Sequence, residues 1–305
     1  MTTVGDLIVA ECGFWNQSET TNPSKLFAIQ LFGLQGNGLD AATAIDSWLQ
    51  RAKNELQSEF SDTHYAALGS VMIWGSLKSR VLQMLLLPTL LVQGNMVRKQ
   101  AIELPEAKGA QKGFCGSGGN LSIIFLGASS VCGIGVDYLD DALSGSLLTL
   151  IKDKYSCDWS ILAKSKLTTR DLIKIIQDEA HTKFDVAVIC IGMNDITAGK
   201  HAESWILELS ELRSLLTEKF YAQKMIFSGI PPVRHLKQIS QPLHYVLSLK
   251  ASVFENALQE FCVSHPNCHY VDINLPVNKQ TIAKDGFHPN KVFYSKWAGR
   301  IRALL

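Results

Sequence analysis

The chain has 305 residues, of which 47% are hydrophobic, and a formal net charge of +1. That is enough apolar material for one large domain or a domain with an appendage, and a charge of +1 carries no message about polyanionic partners. The ends differ. Residues 1–60 hold three Lys and Arg against seven Asp and Glu, 3 − 7 = −4, whereas residues 61–120 hold six against three, 6 − 3 = +3. An acidic start argues against a nucleic-acid arm. The seven cysteines are scattered and form no C-x-x-C pair, which argues against a disulfide framework or structural zinc and fits a reducing compartment. The opening residues, MTTVGDLIVAECG, have no basic n-region and too short an apolar core for a signal peptide, so the expected location is cytoplasmic.

Residues 1–65 read as a small helical extension. One helix is expected over Lys25–Leu34, a turn at Gly36-Asn37-Gly38, and a second helix from Ala41 to about Glu59, capped by Asp40 with Ile45, Trp48 and Leu49 on one face. Such a pair either binds a partner or docks on its own chain. Residues 66–120 read as an apolar helix followed by a connector. The run Val81–Val92 is interrupted by Gln83 and Pro88 and is too short to span a bilayer, for which roughly 20 residues are needed. Trp74, Lys78 and Arg80 before it, with Arg98 and Lys99 after it, suit a peripheral helix resting on anionic lipid; a buried helix covering the sheet is the plainer alternative. Lys108–Asn120, rich in glycine, reads as the connector.

From Leu121 the pattern alternates. Apolar runs at Leu121–Leu126, Trp159–Ala163, Val186–Ile191, Met225–Ile230 and Tyr270–Ile273 are separated by helical patterns at Tyr138–Lys152, Thr169–Ala180, Ala202–Phe220, Val246–Cys262 and Lys291–Leu304. Strands apolar on both faces and alternating with helices imply a parallel sheet covered on each side, with ligands bound outside the carboxyl ends of its strands.

Three loops carry chemistry. In LSIIFLGASSVCGIGV the first strand breaks at Gly127 and exposes Ser129, in a G-x-S-x-x-x-G spacing that ends at Gly133. A serine handed to the start of a helix meets unpaired backbone N–H groups there. An ordinary turn, or a phosphate loop lacking its lysine, is the competing reading. After the third strand, Gly192-Met193-Asn194-Asp195 can aim the Asn194 amide at a developing oxyanion, though an N-D dipeptide also serves as a helix cap. Lys284-Asp285-Gly286-Phe287-His288-Pro289 puts a carboxylate three residues before an imidazole, so Asp285 can hold His288 in one tautomer. Cys262, His265, Cys268 and His269 match no zinc spacing.

Taken together, these loops resemble the SGNH (GDSL-like) hydrolase family over about residues 121–305. A weaker resemblance reaches back to LLLPTLLVQGNMVRKQAIELP, similar to the opening segment of a bacterial, lipase-like branch, and Ile230-Pro231-Pro232-Val233 with Gln241-Pro242-Leu243 agrees with that branch. The resemblance implies a three-layer α/β/α fold around a parallel, flavodoxin-like sheet, here with the helical extension added. It implies Ser129 as nucleophile, His288 as general base, Asp285 as the group that orients it, and oxyanion donors from Asn194 and from the N–H groups of Ser129 and Lys166. No cofactor or metal is implied. The substrate would be a small acyl ester or lipid-like molecule, with a carbohydrate O-acetyl group or a catalytically silent binding role as alternatives. Ala128 stands where the family carries an acid, and Lys166 where it carries glycine. If that position needs positive φ, a lysine there is strained.

Overall fold

The computed structural model describes residues 102–305 apart from residue 237, together with helical residues 89–90 and 92–97 and three short strands near the start. The chain divides into two compact units, Met1–Met96 and Val97–Leu305.

In the first unit β1 (Trp15–Asn16), β2 (Phe27–Leu31) and β3 (Leu34–Gly38) form an antiparallel sheet in that order. This corrects the helix expected over Lys25–Leu34 and the turn expected at Gly36-Asn37-Gly38. The sequence Phe27-Ala28-Ile29-Gln30-Leu31 alternates with a period of two, and Leu31 pairs directly with Leu34, so a two-residue link joins the strands. The helix expected from Ala41 and most of Val81–Val92 lie outside the described residues. No described helix is long and apolar enough to cross a membrane.

The second unit is built on a six-stranded sheet. In chain order it contains β4 (Lys112–Cys115), β5 (Gly119–Gly127), α1 (Leu143–Ile151), β6 (Tyr155–Ala163), α2 (Thr169–Asp178), β7 (Val186–Cys190), α3 (Met193–Thr197), α4 (Ala202–Lys219), β8 (Lys224–Ser228), α5 (Leu243–Ser264), β9 (Cys268–Val271) and α6 (Lys291–Arg302). The strands lie in the order β4-β6-β5-β7-β8-β9, parallel except for β4. Lys108–Asn120, expected as a connector, therefore supplies an edge strand and the start of β5. Four residues with a glycine among them carry no strand pattern of their own, and their pairing with β6, Gly113 opposite Trp159, makes the strand.

Alternate side chains of β5 go to opposite cores. Ile124 and Leu126 join Ala187, Ile189, Met225 and Phe227 beneath α2, α4 and α5, whereas Ile123 and Phe125 join Val186, Val188 and Ile226 beneath α1 and α6. Each fully buried Leu, Ile or Phe contributes about 1.5–3 kcal/mol relative to exposure, so both faces are strongly committed to burial. The result is a three-layer α/β/α unit. The parallel strands run β6-β5-β7-β8-β9, and the direction of winding reverses between β5 and β7, which is where ligands bind in such sheets.

Candidate active site

Ser129 follows β5 and Asn194 follows β7, so both flank that reversal point. Gly127, at φ 154°, ends β5 so close to β7 that a Cβ on it would run into the Cys190 carbonyl oxygen, and the Ala128 N–H donates to the same oxygen at 3.3 Å. Ser129 itself lies half-buried in a single helical turn, in which the N–H groups of Val131 and Cys132 donate to the Ala128 carbonyl at 3.0 and 3.1 Å. A helix does not start here, contrary to expectation. Gly133 and Gly135 have positive φ, and regular helix begins only at Leu143 after a 3₁₀ turn at Leu139–Asp141. Among the described residues the Ser129 N–H donates to no protein acceptor.

The loop between β6 and α2 is tied at nearly every residue. The Ser165 N–H donates to Glu106 Oε1 at 3.0 Å, and the Lys166 ammonium pairs with Glu103 at 3.2 Å. Lys166 adopts φ 67°, the left-handed conformation that its lysine makes costly, and among the described residues its N–H donates to no protein acceptor. Asn194 Nδ2 donates to the Leu167 carbonyl at 2.8 Å, which occupies one of its two amide hydrogens. Thr168 caps α2 in a reciprocal capping box with Asp171.

Asp195 extends this anchorage. It is fully buried and accepts from the Thr169 N–H at 3.1 Å, the Thr169 hydroxyl at 2.9 Å and Lys200 Nζ at 2.6 Å, while Trp205 Nε1 donates to the same hydroxyl at 2.8 Å. Neighbouring residues Asn194 and Asp195 thus grip neighbouring stretches of the Lys166 loop. The N-D dipeptide is not a helix cap: Gly192 occupies that position in α3.

The loop before α6 brings Asp285 and His288 together. Asp285 Oδ2 lies 2.5 Å from His288 Nδ1, and Oδ1 accepts the N–H groups of Phe287 and His288, each at 3.0 Å. Burial pushes the Asp285 carboxyl up, but the hydrogen bonds from His288 and from the two backbone N–H groups outweigh it and hold the group below the usual carboxylate range. With Nδ1 engaged, Nε2 is the nitrogen left to act as a base. The imidazole is 30% exposed, open enough to meet a substrate.

This loop lies against the Ser129 turn. Gly135, at φ 107°, approaches the Pro289 carbonyl so closely that a Cβ would collide with it, and the Tyr294 hydroxyl donates to the Ile134 carbonyl at 2.8 Å. No hydrogen bond joins the Ser129 hydroxyl to His288 among the described residues. Such bonds are often long in ligand-free enzymes and tighten with substrate. Gly135→Ala is expected to cost about 1–3 kcal/mol and to lower the thermal midpoint by several degrees, because it combines a left-handed backbone with a backbone clash. Thermal unfolding of the variant measures it, and an unchanged midpoint would refute the close approach.

Among the described residues no group of three or more His, Cys, Asp or Glu side chains is placed to hold a metal ion. Cys262 and Cys268 lie in the core, where burial pushes their thiols up to about 12 and about 11. Sequence reasoning missed Glu103, Glu106, Thr169 and Lys200, which meet the loops only through the tertiary fold.

A doubly wound sheet with a serine turn, an asparagine turn and an Asp–His pair at its loop-bearing edge belongs to the class of α/β proteins whose ligands bind outside the carboxyl ends of the strands. The comparisons narrow this. The GDSL-like Lipase/Acylhydrolase family matches residues 125–296, more than half of the chain, and the chain belongs to that family. A carbohydrate esterase family 2 enzyme with a carbohydrate-binding domain, from Corynascus thermopiles (Myceliophthora fergusii), shares the fold at TM-score 0.50 and 12% identity, over 66% of this chain and 67% of that one. A member of the lipolytic G-D-S-L family from Veillonella parvula is similar at TM-score 0.49 and 16% identity, over 60% of this chain and 97% of that one. No curated protein matches the sequence.

Proposed function

We propose that the chain is a serine ester hydrolase that works through an acyl-enzyme on Ser129. The observation that carries this reading is the 2.5 Å contact between Asp285 and His288 Nδ1, in a loop packed against the Ser129 turn. In the proposed cycle His288 Nε2 takes the Ser129 proton as the hydroxyl oxygen bonds to the acyl carbonyl carbon. The negative oxygen is received by the N–H groups of Ser129 and Lys166 and by the Asn194 amide. As the tetrahedral adduct collapses, His288 returns the proton to the departing alkoxide, and the alcohol leaves. Water then attacks the acyl-enzyme with the same base, releasing the carboxylic acid. Asp285 stays ionised throughout, since its carboxyl is held low, and stabilises the imidazolium formed in each half.

Family membership supports acyl esters, lipid-like esters included, as the substrate class. The test is reaction of the intact protein with a fluorophosphonate, read as one covalent adduct by mass, together with p-nitrophenyl esters graded from acetyl to lauroyl. A single adduct and turnover of some member of the series are expected. Neither adduct nor turnover across the series would refute the proposal and favour a silent binding protein.

A further inference from the structure

The strained residue of the site, Lys166, is surrounded by contacts that no general feature of the fold requires. A non-glycine residue in the left-handed region persists only where its surroundings over-determine it. Three successive residues are held here by three side chains. Ser165 donates its N–H to Glu106 at 3.0 Å, Lys166 places its ammonium on Glu103 at 3.2 Å, and Leu167 gives its carbonyl to Asn194 at 2.8 Å. The segment that carries Glu106 reaches further: the next residue, Ala107, donates its N–H to the Cys132 carbonyl at 3.0 Å, so this segment touches both the turn that carries Ser129 and the loop that carries Lys166.

The two contacts from the upstream segment differ in weight. The Lys166–Glu103 pair has side chains 82% and 85% exposed, so it contributes little by itself. The bond to the Ser165 N–H is exposed as well, but it acts on the peptide immediately before the strained residue and so bears directly on that residue's conformation.

We infer that Glu106 is a positioning residue, assisted by Glu103, that holds Lys166 in its left-handed conformation and so presents the Lys166 N–H to the oxyanion. It touches neither substrate nor reacting atoms. The inference rests on the ester-hydrolase reading for its effect on rate, but the conformational clamp stands apart from it. Because Glu106 is exposed, truncating it leaves both cores untouched.

The test is a double-mutant cycle. Glu106→Ala is expected to lower kcat about tenfold with KM within about twofold, because a loosened donor is felt mainly in the transition state. In a Lys166→Gly background, whatever its own turnover, adding Glu106→Ala should cost less than about threefold, since glycine takes positive φ without help. Glu106→Gln, which keeps an oxygen for the Ser165 N–H, should recover most of the loss. Amide hydrogen exchange of the segment containing Ser165 and Lys166 should speed up in Glu106→Ala by about tenfold or more. Equal losses in both backgrounds, an unchanged kcat in Glu106→Ala, or unchanged exchange would overturn the inference. If the unaltered protein hydrolyses no ester, the ester-hydrolase reading has failed, and the exchange comparison alone decides whether Glu106 clamps the loop.

Discussion

Ser129→Ala is expected to abolish fluorophosphonate labelling and to reduce p-nitrophenyl ester turnover by roughly 10⁴-fold or more, while leaving the thermal midpoint within a few degrees. The size follows from what is lost. In the proposed cycle no acyl-enzyme forms without the hydroxyl, and only the proposed oxyanion donors and substrate binding remain to assist direct attack by water. The fold should tolerate the change, because Ser129 is half-buried at the start of a turn and its hydroxyl makes no hydrogen bond among the described residues. Labelling that persists in the variant would assign the nucleophile elsewhere, with the neighbouring Ser130 the first residue to examine.

Asp285→Asn should lower kcat by roughly 10³–10⁴-fold with little change in fold. An amide can still accept the Phe287 and His288 N–H groups, which lie 3.0 Å from Oδ1. The carboxylate oxygen 2.5 Å from His288 Nδ1 becomes a neutral group, so nothing holds the proton on Nδ1 or stabilises the imidazolium. Retention of more than a tenth of the activity would sink the assigned role.

The same substitution has a signature in stability. The folded-state pKa of Asp285 is depressed, so as the pH falls the unfolded chain takes up this proton before the native protein does. Its contribution is therefore complete above the unfolded value of about 3.9 and is lost as the pH drops through the folded value. Denaturant unfolding near neutral pH and below pH 4 should show the gap between wild type and Asp285→Asn narrowing in acid. A gap independent of pH would show that the carboxylate gains nothing from its native partners.

Much of the second unit is legible in the sequence because its signals are local. Val186–Cys190 is apolar at every position, which fits a central parallel strand buried on both faces. Asp285 and His288 meet within one short loop, so their three-residue spacing already implies the contact. Pairings distant in sequence are another matter. Ser165 and Glu106 are 59 residues apart, and Thr169 and Asp195 are 26 apart. No periodicity marks either pair. The four-residue strand β4 is invisible for a related reason, since an edge strand with an interior glycine is made by the partner it pairs with. In the first unit the alternation in Phe27–Leu31 was available but competed with an equally plausible helical spacing of the same apolar residues.

By itself, then, the sequence determined the alternating layers, the order of the strands and longer helices after Leu121, and the residue types that end the loops, but not the short helix α3. Each of these depends on short-range steric preference and on whether a side chain is apolar, both properties of neighbouring residues. The tertiary structure alone decided that Lys166 takes a left-handed backbone, that Glu106 reaches it from another element, and that the Asp285–His288 loop settles on the Ser129 turn through Gly135. These depend on which distant surfaces come into contact once the two apolar faces of the sheet are covered, and that contact exists only after the chain has closed around its cores.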